Sequence, residues 1–375
     1  MRRILIDNAA AALVAVAFAL APGCGDFPSA THLPFPQLRS EDGALLRPLT
    51  LVTLVSAGDP DADQLFGFSD ALAASDWWKI VGADYALGPT VATARVTGPA
   101  ITANIADHDV FTYIDNALQA SGGAFKNGNS LYLVYLPPGI AVITSSGINT
   151  NCRLMAGYNR AFGLKGDNLA LVQRCEDNAP IDQLTITASH EILEAATDPT
   201  LHGYNAGDMP RSQPWNESVW HSFRLRGRAE VGDLCEGTRW FEGAYVYQRI
   251  YSNSAAARGG DPCMPPETHA YYNVSPAQEW FPVEAGATID VPLHGWTTEQ
   301  SATWPLSTSV YSSTIGFTTT VPATLLRNDW VMDLQLTAPV GAPSGSFAVV
   351  ELYSGPNPPI GNDLYHFTVV GAYVP

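Results

Sequence analysis

The chain has 375 residues, 36 acidic against 19 basic, and a formal charge of −17. With only three lysines (Lys79, Lys126, Lys165) and no basic stripe, this balance excludes a nucleic-acid phosphate backbone and a polybasic grip on a membrane surface. Hydrophobic residues at 46% against charged residues at 15% exclude disorder, and 32 Gly with 28 Pro favour a strand- and loop-rich chain of about two domains over a helical bundle.

In chain order, residues 1–23 read as an export signal. Arg2 and Arg3 supply the positive start, and the apolar run Ala9–Ala21 is too short to span a bilayer but suits a signal core. Ala21-Pro22-Gly23-Cys24 then resembles a bacterial lipoprotein cleavage site, so Cys24 is the expected lipidation position, with simple secretion as the alternative. Any membrane association would run through that lipid anchor alone. Removing 1–23 leaves 17 basic and 35 acidic residues, a charge of −18.

Four further cysteines, Cys152, Cys175, Cys235 and Cys263, suit two disulfides outside the cytoplasm. Sequential pairing, Cys152–Cys175 and Cys235–Cys263, is the expected connectivity of three. A Cys₄ zinc site is the rival, but no CxxC spacing supports it.

Residues 24–47, rich in Pro and polar residues, read as a linker. Leu49–Val55 has the pattern of a buried strand, and Asp61–Trp78 that of one helix. A further helix is expected near 109–119, with strands at Leu131–Leu136 and Leu169–Val172. Alternating strands and helices predict an α/β or α+β domain over 48–267. From 268 to 375 the texture is short alternating runs rich in Thr, Val, Tyr and Ser, such as Ala287–Pro292 and Phe347–Tyr353. About seven such runs predict an all-β, immunoglobulin-like sandwich.

The chemistry concentrates in Thr187-Ala188-Ser189-His190-Glu191-Ile192-Leu193-Glu194-Ala195-Ala196-Thr197-Asp198-Pro199, an HExxE pattern. Gln183–Thr197 is a good helix, and Pro199 ends it. With His190 at zero on the helical wheel, Glu194 falls near about 40°, Asp198 near about 80° if still helical, and Glu191 near about 100°. Apolar residues fill most of the remaining circumference, so such a helix is buried, and buried carboxylates must be paired or hold a cation. No basic residue lies between Arg174 and Arg211.

A divalent metal is the economical answer, with His190 and Glu194 as ligands one turn apart and Glu191 placed as general base. Glu230, in the strip Ala229-Glu230-Val231-Gly232-Asp233-Leu234-Cys235, is the expected third, zincin-like ligand. Asp198, Asp233 and His202 compete for that role. The histidine favours zinc over calcium. An exposed acidic helix face and a calcium-stabilised structural site are the bland alternatives.

No GxSxG elbow, P-loop or Rossmann fingerprint occurs. His108, His202, His221 and His269 read as single surface histidines, and Trp215, Trp220 and Trp240 as core residues before they read as a cleft.

The 188–199 segment, followed by Glu230-Val231-Gly232-Asp233-Leu234-Cys235, resembles the EXORDIUM (phosphate-induced protein) family and its bacterial exported relatives, with their SHExxEAxTDP helix and later ExxDxC strip. Cys152 to Gly157-Tyr158-Asn159, with Cys175 after it, is similar to that family's Cys and Gly-Tyr-His region, with Asn159 standing where a histidine is usual. The resemblance covers roughly 50–263 and implies an extracellular protein with a metal-dependent, hydrolase-like core. Together these readings predict an exported zinc-dependent hydrolase, foremost a peptidase acting on a peptide or cell-surface polymer. The alternative is a non-catalytic surface or cell-wall binding protein whose site holds calcium or nothing.

Overall fold

The computed structural model describes residues 37–40, 43–123, 125, 127–143, 156–162, 167–174, 180–200, 202–205, 230–267, 270–299, 302–313, 315–322, 324–355 and 366–375. The expected signal segment 1–23, Cys24, most of the linker, Cys152, Cys175, Trp215, Trp220, His221 and His269 lie outside them. The chain is β-rich with few helices, and among the described residues no helix is long and apolar enough to cross a membrane.

The first half is organised on a five-stranded sheet. Its strands are β1 (Leu49–Ser56), β2 (Val91–Gly98), β3 (Ser130–Tyr135), β4 (Gly157–Phe162) and β5 (Asp167–Val172), in the order β2-β1-β3-β5-β4. All neighbours run parallel except the edge pair, where β4 turns back antiparallel on β5.

Both faces of this sheet are covered, and the alternation of side chains sorts the core in two. Leu51, Val55, Leu131, Leu133, Tyr135, Ala170 and Val172 point to one face, under α1 (Ala62–Ala74), α2 (Asp76–Asp84) and α4 (Ile181–Thr197). Val52, Leu54, Tyr132, Val134, Leu169 and Leu171 point to the other, under α3 (Asp107–Ala120). Strands buried on both faces read as continuous apolar runs, which is how they look in the sequence. Each such side chain contributes roughly 1.5–3 kcal/mol on burial.

Two expectations need correction. The helix expected over Asp61–Trp78 is two helices, because Ser75 leaves helical geometry (φ −67°, ψ 152°). Its hydroxyl accepts from the Trp78 amide at 3.0 Å and donates to the Leu72 carbonyl at 2.7 Å, ending one helix and starting the next. The distal part of the expected 24–47 linker is docked. Leu38 and Leu46 are buried in the main core, Arg39–Ser40 pairs with Tyr204–Asn205, and Leu38 exchanges hydrogen bonds with the Asn253 side chain. Two buried leucines outweigh the polar composition around them.

A hairpin, β6 (Arg239–Glu242) and β7 (Tyr245–Gln248), lies against α4. Two four-stranded sheets follow. One is β8 (Tyr272–Pro276), β10 (Thr288–Thr297), β13 (Val331–Thr337) and β12 (Thr318–Thr320), in that order across the sheet. The other runs β9 (Trp280–Pro282), β15 (His366–Tyr373), β14 (Phe347–Ser354), β11 (Leu306–Ser313). Their shared core includes Val274, Val291, Leu293, Leu334, Val350 and Leu352. Tyr271, Trp296, Val349 and Val369 belong instead to the core of the first half, so the two halves are packed together.

Candidate metal centre

The site forms where α4 crosses the antiparallel edge of the five-stranded sheet and meets the strip 230–235. Residues four apart on a helix are about 6 Å apart, close to the span of two strand residues. The hairpin uses that match. Thr185 Oγ1 donates to the Val246 carbonyl at 2.7 Å, and the Gln248 amide donates to Ser189 Oγ at 2.8 Å. Strand β7 is thereby fixed lengthwise on α4, and Gln248 arrives beside His190.

On α4, His190 and Glu194 stand one turn apart, with His190 Nε2 3.1 Å from Glu194 Oε1. Asp233 Oδ1 lies 3.9 Å from the same nitrogen. His190, Glu194 and Asp233 each offer a ligand atom within 4.8 Å of the others and could hold a metal ion. Glu194 is buried with 4% of its side chain exposed, while His190 keeps 15% and Asp233 31%, so the group opens to solvent on the His190–Asp233 side.

Glu194 is held in place by donors. Its Oε1 accepts from the amides of Gly232 (3.1 Å) and Asp233 (3.2 Å), and its Oε2 accepts from Asn159 Nδ2 at 3.0 Å. Asn159 Nδ2 also reaches Glu230 Oε2 at 3.3 Å. On the far side of the imidazole, His190 Nδ1 faces Gln248 Oε1 at 3.0 Å, and Gln248 Nε2 donates to the Gly232 carbonyl at 2.6 Å.

Glu230, expected as third ligand, is not in the group of His190, Glu194 and Asp233 and meets Glu194 through the shared Asn159 amide. Its amide donates to Asp233 Oδ2 at 2.9 Å, and it bridges to Asn205, while its Oε1 is buried with no hydrogen-bond partner. Asp233, at the start of the 3₁₀ turn Asp233–Cys235, stands in the candidate group in its place, with Oδ1 toward His190. Asp198 leaves the helical arc: its backbone is non-helical (φ −137°, ψ 54°) and its Oδ1 accepts from the Gly203 amide at 2.6 Å. His202 is exposed and is not among the ligand group. His108 pairs with Asp109 on the surface, and Trp240 packs on the core with Nε1 on Glu242.

The strip is anchored by the disulfide Cys235–Cys263. The fully buried Arg249, next to Gln248, binds the Cys263 and Pro265 carbonyls and pairs with Asp261. The Cys152–Cys175 pairing falls outside the described residues.

Burial and mutual repulsion shift the acids upward. Burial pushes Glu191 up to about 8, with the neighbouring His190 offsetting part of the rise. Burial, then the charges of Glu194 and Asp233, pushes Glu230 to about 10. Burial and Glu194 push Asp233 to about 7. For His190, burial acts against the charged form, but Glu194, Glu191 and Asp233 override it and hold the imidazole well above its ordinary value. One imidazole faces this concentration of carboxylates, a repulsion that a bound cation would relieve.

The donor set fits a metal: two carboxylates and an imidazole are ligand types that could hold a divalent ion. The amide oxygen at Nδ1 leaves Nε2 free to ligate, as the outer partners of metal-bound histidines do. Gln248 and Gly232 carry no sequence signal of this role; Asn159 is legible only through the resemblance.

No family model matches the chain, and no curated protein matches it either. Among solved structures, a C. elegans MSP family member is similar at 13% identity, covering 28% of this chain and 100% of that chain with a TM-score of 0.20, a likeness too faint to carry an argument.

Proposed function

We propose that this protein is an exported, cell-surface metal-dependent hydrolase, foremost a zincin-like peptidase with the EXORDIUM-like exported proteins as its relatives. His190, Glu194 and Asp233 hold zinc in this reading, and Glu191 is the general base. The observation that carries it is the imidazole of His190. One of its nitrogens is occupied by an amide oxygen, and the other is turned onto two carboxylate oxygens. Acceptors do not gather around a ring nitrogen without a proton or a cation between them.

Held by His190, Glu194 and Asp233, a zinc ion would supply Lewis-acid polarisation of a carbonyl and would acidify water at neutral pH. The rest is the work of the chain. Glu191, buried and next to His190 on α4, is the group that would take the proton of the attacking water and pass it to the leaving group. Asn159 ties Glu194 and Glu230 together by donating to both from one amide nitrogen. Among the described residues β4 pairs only with β5, so an extended peptide can add to its outer edge as a further strand, passing the site at Asn159. The immunoglobulin-like sandwich is a surface-binding module in this scheme, and Cys24 carries the lipid anchor.

A non-catalytic calcium-holding reading draws on one observation, the orphaned buried oxygen of Glu230, an extra hard donor beside the site. Metal analysis separates the two. Protein prepared without chelator is expected to carry about one zinc per chain, lost on His190→Ala. Glu191→Gln is expected to keep the metal and lose turnover of a peptide library. Calcium in place of zinc, or equal turnover by wild type and Glu191→Gln, overturns the hydrolase.

A further inference from the structure

We infer that Gln248 is the positioning residue of His190: its amide oxygen accepts the hydrogen bond from Nδ1–H, so that Nε2 is the ligating nitrogen. The inference rests on the metal-centre reading and concerns how that centre is held together.

Three observations carry it. Gln248 is buried, with its amide oxygen 3.0 Å from His190 Nδ1. Which end of the amide faces the imidazole is set independently, because the other end donates at 2.6 Å to the Gly232 carbonyl, an acceptor only. The oxygen must therefore face Nδ1, and Nδ1 must carry a proton, which leaves Nε2 as the nitrogen that can ligate. The backbone of Gln248 is itself fixed, since its amide donates to Ser189 Oγ on the turn that carries His190. The residue is thus held by α4, reads the imidazole, and grips the strip that presents Asp233.

An imidazole that ligates through Nε2 buries an N–H at Nδ1. Left without an acceptor, that group resists the ligating orientation, and outer partners of metal-bound histidines commonly govern affinity ten- to hundredfold. Side chains that fill the same space separate the two bonds. Gln248→Glu keeps an acceptor for Nδ1 but loses the donor to Gly232. Gln248→Leu loses both.

The test is zinc titration of the full chain by competition with a chromophoric chelator, paired with nitrogen-15 spectra of the cadmium-113-loaded protein. Wild type should bind one equivalent and show cadmium coupling to Nε2 of His190, with a slowly exchanging Nδ1 proton. Gln248→Leu should bind zinc ten- to hundredfold more weakly and lose protection of that proton. Gln248→Glu should restore the protected proton and most of the affinity, which loss of a merely structural tie to Gly232 would not allow. If Gln248→Leu binds zinc within about threefold of a zinc-binding wild type, or Gln248→Glu is as weak as Gln248→Leu, the positioning role is overturned while the metal centre stands. If wild type itself takes up no zinc, the metal centre falls and this inference with it. A thermal melt of each ion-free variant identifies a folding failure, and the fully folded member of the pair then decides.

Discussion

Gly232 and Glu194 meet more closely than any side chain at position 232 would permit. The Gly232 amide donates to Glu194 Oε1 at 3.1 Å, and a Cβ on Gly232 would stand 2.7 Å from that same oxygen and 2.8 Å from His190 Nδ1. The backbone there is ordinary right-handed (φ −78°, ψ −43°), so the need for glycine comes from the approach and not from the dihedrals. Gly232→Ala is expected to cost about 1–3 kcal/mol in denaturant unfolding, as overpacked positions do, and to weaken zinc binding at least about tenfold. Unchanged affinity in this variant would show that the strip does not close on the helix as found.

Stability of the ion-free protein should fall as pH rises. Glu191, Glu230 and Asp233 are raised to about 8, 10 and 7 from ordinary values of 4.5, 4.5 and 3.8. Between the ordinary and raised values the folded chain holds protons that the unfolded chain has released, so stability declines through that window. His190, also raised, runs the same way: its contribution is full at low pH and is lost as it deprotonates. The melting temperature of chelator-treated protein is expected to drop by several degrees between about pH 5 and pH 8, with saturating zinc flattening the decline. A flat profile without zinc would contradict the clustering of these acids.

Reducing Cys235–Cys263, or replacing both with serine, should cost about 3–4 kcal/mol by the chain-entropy relation for partners 28 residues apart. Because Cys235 closes the turn that presents Asp233, zinc affinity should fall along with stability. Titration of zinc into reduced protein below its melting temperature checks the second effect separately.

Ser75→Ala should cost about 1 kcal/mol, from loss of the cap on α2 and the bond to Leu72, without altering zinc binding. Chemical denaturation reads the cost, and the zinc titration serves as the control for a position remote from the centre.

Residues whose burial is uniform were legible from sequence. The apolar runs of β1, β3 and β5 and the helical spacing of α4 up to Pro199 announce themselves, because each element's core face is set by its own periodicity. His190, Glu191 and Glu194 were legible for the same reason: they are the polar exceptions on an apolar helix. The break at Ser75 was hidden because apolar residues continue across it. Strand β4 was hidden because Tyr158 and Arg160 face Asp107 on one side of the sheet while Asn159 faces the glutamates on the other, leaving no apolar alternation to read. That Asp233 and not Glu230 stands with His190 and Glu194 depends on a single 3₁₀ turn, and Gln248 owes its place to a hairpin lying along a helix; neither is encoded in local spacing.

The amide of Asn159 spans 35 residues of chain to Glu194 and 71 to Glu230. These groups are dispersed in the unfolded chain, and they are brought together only when the sheet edge, the helix and the strip have all docked. Without a cation, that last docking gathers like charges or takes up protons; with one, it gathers ligands. Zinc should therefore act on the kinetics as well as the equilibrium, with ion-free chains stalling before the final docking step and refolding more slowly than chains supplied with the metal.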